Sequence, residues 1–249
     1  MLSAFITLSG HAQRDTLPSH VFNLAALPIE KDSSRLRIQM MDGRTSLLSN
    51  LEAHVTILQP GQSAHPPHTH SNTEELIIVK QGILKVTVKG KAKWLSAGGL
   101  ALSLPGDVHA AINAGKTTVV YYVIKYTNAV VDTARGEKAG GSVLMNWNEP
   151  STEKTDRGER RQFFNRPTAL FEKFDMHATT LNKGNVSHLP HTHRQEEIIL
   201  IRSGHVSMQI ADKHFPAVAG DLIFLSSGVL HALKNTGNGP CTYFAFQWQ

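Results

Sequence analysis

Six of the fourteen histidines in this 249-residue chain fall into two matching patterns. The first is His68 and His70, then a carboxylate at Glu75, then a single histidine, His109, behind the turn Leu104-Pro105-Gly106-Asp107. The second is His191 and His193, then Glu197, then His231 behind Ser226-Ser227-Gly228. On an extended segment the side-chain period is two, so each His-x-His pair presents both rings to one face. Three imidazoles and one carboxylate, with positions left open, suit Fe(II), Mn(II), Ni(II) or Zn(II). A metal held this way can polarise a small carboxylated, enolisable or phenolic substrate, or activate dioxygen. Cys241 is the single cysteine, which excludes an internal disulfide and any cysteine-based zinc knuckle. A purely structural role would require eight polar groups to be buried in the same register twice, against the cost of leaving such groups unsatisfied.

Each copy has two adjacent glutamates, so the ligand must be chosen. Glu75 precedes Gly82 by seven residues and Glu197 precedes Gly204 by seven, which makes these two equivalent and leaves Glu74 and Glu196 facing away. From the second histidine the spacings differ, five to Glu75 and four to Glu197. In an uninterrupted strand that difference would flip one carboxylate to the other face, so a loop or bulge is expected at 71–73 and at 194–195.

These groups are carried by an internal repeat. A shift of 123 places Glu30 on Glu153, Arg37 on Arg160, His54 on His177 and Gly61 on Gly184. After one dropped residue, a shift of 122 places Gly98 on Gly220, His109 on His231 and Asn113 on Asn235. A period this long means two copies of one domain. Each copy is strand-rich: 76–79, 83–88, 101–104 and 119–124 carry β-branched and aromatic residues between short turns, which suits an all-β sandwich or barrel. Lys89-Gly90 and Ala211-Asp212 read as hairpin turns. The expected division is 13–130 and 131–249, with 131–150 as connector.

Composition sets the remaining bounds. With 41% hydrophobic and 18% charged residues the chain can bury a core, and it holds no apolar run long enough for a spanning helix. Net charge is +5, but the cations are scattered among acids, so nucleic acid is not an expected partner. The cluster Arg157, Arg160, Arg161 and Arg166 reads as a solvated face in a polar connecting stretch. Residues 1–12, apolar and ending in small residues, read as the remnant of a secretory signal, which implies a periplasmic or secreted protein. The alternative is a buried N-terminal strand in a cytoplasmic protein.

Further polar residues repeat around the histidines. His54 and His177 lie on the strand before each pattern, and either substrate contact or a structural hydrogen bond accounts for them. His65 and His188, three residues before the first ligand, read as supporting groups. Asn113 and Asn235 are expected to brace the turn near the last ligand. Tyr121, Tyr122, Tyr243 and Phe244 are expected in the core, and Trp94 and Trp147 as core or cover.

The stretch PGQSAHPPHTHSNTEELIIVKQG with GGLALSLPGDVHAAIN, and its partner KGNVSHLPHTHRQEEIILIRSG with GDLIFLSSGVLHALKN, resembles the two motifs of the cupin superfamily, present twice as in a bicupin. Ser227 replaces the motif's proline in the second copy, a change confined to a turn. The resemblance implies two tandem double-stranded β-helix barrels of jelly-roll type, a divalent metal in each held by His68, His70, Glu75 and His109 and by His191, His193, Glu197 and His231, and a homodimer. It does not imply one reaction. A metalloenzyme acting on a small organic acid, phenol or sugar-derived substrate is expected, dioxygenase-like or oxidoreductase before isomerase or decarboxylase. The other class is a non-catalytic periplasmic binding module for a small anion or carbohydrate.

Overall fold

A computed structural model describes residues 16–32 and 35–249. The segment read as a signal remnant lies outside the described residues. The strands of the first half are β1 (His20–Phe22), β2 (Glu30–Asp32), β3 (Arg35–Gly43), β4 (Asn50–Leu58), β5 (Thr73–Gln81), β6 (Leu84–Val88), β7 (Lys91–Leu95), β8 (Leu100–Ser103), β9 (His109–Ile112) and β10 (Val119–Thr127). The short helix α1 (Thr133–Lys138) follows, with Asp132 Oδ1 accepting from Arg135 N at 2.8 Å as its cap. The second half comprises β11 (Val143–Met145), β12 (Thr152–Thr155), β13 (Gly158–Arg166), β14 (Phe174–Leu181), β15 (Glu196–Ser203), β16 (His205–Ile210), β17 (Lys213–Val218), β18 (Leu222–Leu225), β19 (His231–Asn235) and β20 (Cys241–Trp248).

Each half folds as a seven-stranded sheet facing a three-stranded one. The first pairs β11-β8-β5-β10-β4-β3-β2 with β7-β6-β9, and the second pairs β1-β18-β15-β20-β14-β13-β12 with β17-β16-β19. The all-β class and the doubled barrel expected from the sequence are therefore present. The two hairpin turns also stand where expected, with Lys89 at φ 49° and Ala211 at φ 54°.

The edge strands are exchanged. β1 precedes the first barrel in sequence but pairs with β18 of the second, His20 opposite Phe224. β11, its equivalent under the 123-residue shift, pairs with β8 of the first, Val143 opposite Leu102. The connector thus supplies a strand to the first barrel's sheet.

Alternation on the strands divides the hydrophobic residues into three clusters. On β10, Val119, Tyr121 and Val123 face the first barrel's interior with Ile77 and Val79. Their neighbours Tyr122, Ile124 and Tyr126 face the seam between the barrels, with Phe174, Phe244 and Trp248. The second interior holds Ile199, Ile201, Met208, Leu233 and Tyr243. Burying an aromatic or aliphatic side chain of this size contributes about 1.5–3 kcal/mol, so the seam stabilises both halves jointly.

Two sequence expectations fail at the surface. Trp94 is half exposed, because its side of β7 has no layer above it. The arginine cluster is not a connecting stretch: Arg160, Arg161 and Arg166 lie on β13. Arg161 and Arg202 stack on Trp147 at 4.7 and 4.2 Å, and Arg166 donates to Ala139 O and Gly141 O. Charge alternation in a polar run hid a strand on which Arg161 and Arg166 cover the barrel seam.

Candidate metal centre

The first candidate site draws on three parts of the fold. Glu75 comes from β5 of the large sheet, His109 from the start of β9 in the small sheet, and His68 and His70 from the loop between β4 and β5. That loop is not a strand. One of its bridges, in which His68 N donates to His109 O at 3.0 Å and His109 N to His68 O at 2.9 Å, sets these two histidines side by side. The turn behind His109 is fixed by Gly106, at φ +88°, whose N–H donates to His70 O at 2.8 Å. The second half repeats the arrangement with the His191–His231 bridge and with Gly228 N donating to His193 O at 2.8 Å.

The loop required by unequal histidine–glutamate spacing is present in both copies. β5 starts only at Thr73 and β15 only at Glu196, so the histidine pairs are free of the strand's register. Within the strands the choice of glutamate follows from alternation. Glu75 points inward with Ile77, whereas Glu74 points into the seam with Leu76.

One ligand atom from each of His68, His70, Glu75 and His109 falls in a group whose members all lie within 4.8 Å of one another. His70 Nε2 is 3.4 Å from Glu75 Oε2, and His109 Nε2 is 3.5 Å from Glu75 Oε1. In the second half, His191, His193 and His231 form such a group. Glu197 Oε2 joins them at 3.2 Å from His193 Nε2 and 3.4 Å from His231 Nε2.

The imidazoles are preset as donors toward one point. His68, His109, His193 and His231 each place Nδ1 2.9–3.1 Å from a backbone carbonyl. A carbonyl only accepts, so in the neutral ring Nδ1 carries the proton and Nε2 keeps its lone pair. His70 Nε2, His109 Nε2, His231 Nε2 and His191 Nδ1 are buried with no hydrogen-bond partner among the described residues. Orphaned buried acceptors around an anionic carboxylate are what a divalent cation would satisfy, so the residues fit the metal.

Electrostatics keep the carboxylates anionic and divide the imidazoles: burial opposes protonation of His109 but Glu75 outweighs it and raises that ring, Glu197 raises His193, and His68 and His191 are lowered. Burial pushes Glu75 up, but the His109 and His70 rings beside it outweigh that and hold the carboxyl well below its ordinary range. Burial opposes Glu197 likewise, and His193 and His231 bring it down to about 2. Desolvation lowers His68 and His191 below the usual imidazole value, which keeps them neutral.

The surrounding candidates separate into two groups. His54 Nδ1 lies 2.9 Å from Glu52 Oε1 and His177 Nδ1 lies 3.3 Å from Asp175 Oδ1, so each repeats a carboxylate–imidazole pair at a cavity wall. His65 Nε2 lies 2.5 Å from Arg35 Nη1, and His188 packs edge-on against His191 at 3.9 Å between centroids. Asn113 and Asn235 do not reach the clusters. Asn113 Nδ2 donates to Leu58 O and Thr117 O, both at 2.9 Å, and Asn235 Nδ2 donates to Leu181 O at 3.0 Å and Gly239 O at 2.9 Å. They hold the turns leading to β10 and β20, at the far end of the strand that begins with the third histidine.

Three cavity residues escape the sequence reading. Arg35, Lys125 and Arg160 line the two cavities, and Tyr121 and Tyr243, buried in the two interior clusters as expected, also border them. Lys125 had a readable signal, since it follows Tyr121 and Val123 on the inward parity of β10 and interrupts an apolar row. Its Nζ lies 3.8 Å from Glu75 Oε2.

This doubled barrel with a histidine–glutamate cluster inside each half defines a two-barrel β protein with a candidate metal site in each. The family model described as the cupin domain matches residues 54–125 and again 178–246, and the chain belongs to that family. Among curated proteins, germin-like protein 9-2 of Oryza sativa subsp. japonica is 31% identical over 100 residues, covering 38% of this chain and 46% of that protein. The chain therefore aligns with about half of that relative's length. Among solved structures, a glyoxylate-induced protein from Pseudomonas aeruginosa superposes with a TM-score of 0.75 at 15% identity, covering 100% of this chain and 97% of the other. The oxalate decarboxylase of Lactobacillus farciminis, solved as a formate complex, gives 0.69 at 13% identity over 94% and 87% of the two chains. At those identities the superpositions establish the fold. Among the described residues no helix is long and apolar enough to cross a membrane.

Proposed function

We propose that this chain is a divalent-metal-dependent enzyme that binds a small organic acid at a metal in its barrels. The observation that carries the reading is the set of orphaned imidazole nitrogens converging beside a fixed cation, with Lys125 Nζ 3.8 Å from Glu75 Oε2 in the first barrel. His68, His70, Glu75 and His109 would hold one ion, and His191, His193, Glu197 and His231 a second. Such an ion, when bound, supplies a Lewis acid at coordination positions that the protein leaves open.

The chain's own residues supply the rest. Arg35 and Lys125 attract and orient a carboxylate in the first cavity, and Arg160 does so in the second. Burial pushes Tyr121 and Tyr243 far above the usual phenol value, so each stays protonated and offers only an O–H donor or a lone pair. Ile77, Val123 and Ile199 keep the cavity walls apolar, which limits competing water. The formate-bound oxalate decarboxylase of the same fold supports a small acid as ligand. A dioxygenase-like or other oxidoreductase reaction and a decarboxylation both fit the donor set.

The test begins with elemental analysis of protein purified without tag or added metal. Turnover is then followed by oxygen uptake and carbon dioxide release on keto acids, dicarboxylates, phenols and sugar acids. We expect bound Fe or Mn and turnover that His68→Ala or His191→Ala abolishes. An acid that binds the loaded protein but is recovered unchanged in every condition would instead make the chain a binding module.

A further inference from the structure

The two barrels line their cavities with equivalent residues at nearly every position, which makes the exceptions informative. His54 and His177, Thr56 and Thr179, Tyr121 and Tyr243 correspond under the repeat and face the same space. Two positions differ in charge. Arg35, at the start of β3, corresponds to Gly158, at the start of β13. Lys125, opposite Glu75 in the sheet, corresponds to Gln247, opposite Glu197.

Size and charge follow these exchanges. The first cavity measures about 20 Å³, room for about one water-sized sphere. The second measures about 290 Å³, near the lower bound of small-molecule pockets. Arg35 contributes directly to the difference, since its guanidinium is buried in the first cavity against His65 at 2.5 Å and Ala64 O at 3.4 Å. The second barrel cannot be closed the same way. Gly158 has φ +149°, and a Cβ there would stand 2.0 Å from Thr180 O. The first lining holds two cations, Arg35 and Lys125, against Glu75, while the second holds Arg160 against Asp175 and Glu197.

We propose that Arg35 and Lys125 restrict the first metal site to carboxylates of formate or acetate size, whereas the second site, with Gly158 and Gln247 in their places, takes larger organic acids. This rests on the reading of both clusters as metal sites for organic acids. The chain would then be a pair of unlike sites, each binding what the other excludes or holds weakly.

The test uses the full chain with one site disabled at a time, by His191→Ala with His193→Ala or by His68→Ala with His70→Ala. Each form is loaded with Co(II), and its visible absorption is titrated with formate, acetate and benzoate. The intact first site should bind formate and acetate at least about tenfold more tightly than benzoate, and the intact second site should bind benzoate at least as tightly as acetate. Arg35→Gly with Lys125→Gln should move the first site's preference toward benzoate by at least about tenfold. Gln247→Lys should tighten formate and acetate at the second site, a check that does not depend on how the Arg35 variant folds. Equal ranking of the three acids at both intact sites overturns the proposal while leaving the metal-site reading standing. Failure of cobalt to bind either site overturns both.

Discussion

Glu74 and Glu75 are adjacent in sequence and serve opposite compartments. Glu75 turns into the first barrel toward His70 and His109, while Glu74 turns into the seam, where Oε1 accepts from Leu170 N of the other half at 2.8 Å. Their repeats behave alike: Glu197 faces His193 and His231, and Glu196 accepts from Thr45 Oγ1 at 2.6 Å and Ser46 N at 2.9 Å.

If the inward cluster holds a metal as proposed, this split separates metal binding from assembly. Glu75→Gln should weaken metal binding at the first site by more than about 100-fold, since loss of an outer supporting group already costs 10–100-fold. Glu74→Gln should leave metal content unchanged, because the amide keeps an acceptor for Leu170 N. Metal analysis of both variants decides it, and equal losses would contradict the assignment of Glu75.

Metal removal should destabilise the fold. A ligand at one hundred times its dissociation constant adds about 2.7 kcal/mol per site, and for a chain of this size each kcal/mol moves Tm by about 2–4 °C. Chelation should therefore lower Tm by roughly 5–10 °C per site, reversed on adding back the ion. An unchanged melting curve would mean that the clusters do not couple to folding.

The seam predicts a large truncation penalty at one position. Trp248 is fully buried, packs edge-on against Tyr126 at 5.1 Å between centroids, and donates from Nε1 to Glu196 Oε2 at 3.2 Å. Trp248→Ala should cost about 3–5 kcal/mol in urea denaturation. Trp248→Phe should cost about 1–3 kcal/mol, from leaving a buried carboxylate short of one donor.

A pH dependence follows from Glu52. Its hydrogen bond from His54 outweighs burial and, with Lys125 and Arg37 nearby, holds the carboxyl at about 2 instead of 4.5. A depressed carboxylate stabilises the fold above its unfolded pKa, and that gain is lost as pH falls from about 4.5 through about 2. Wild type should therefore exceed Glu52→Gln in urea stability at pH 7, and the gap should close by pH 2 with chelator present throughout. A gap constant over that range would show that the pair adds no charge-dependent stability.

The sequence carried the chemistry more fully than the surroundings. The clustering of the histidines, the repeat and the inward turn of Glu75 rather than Glu74 were readable because spacing from a turn glycine and strand parity both reflect backbone geometry. Arg35 and Arg160 were not, because a cation at the start of a strand gives no sign of whether it turns into a barrel or out to solvent. Trp94 misled for a related reason: aromatic character marks a residue that could be covered, and only the layering of sheets shows that nothing covers it. The exchange of β1 and β11 was equally hidden, since a three-residue strand has too little pattern to name its partner.

That exchange makes the two halves hostages of one another. Separating them near residue 130 would leave the first half without the strand that lies beside β8, and the second without the strand beside β18. Each fragment would expose a raw sheet edge, the kind of surface that invites chains to associate with strangers. Each copy of the repeat completes its sheet with a strand that the other copy's segment of chain supplies. The halves can diverge in what they bind, and they cannot part company.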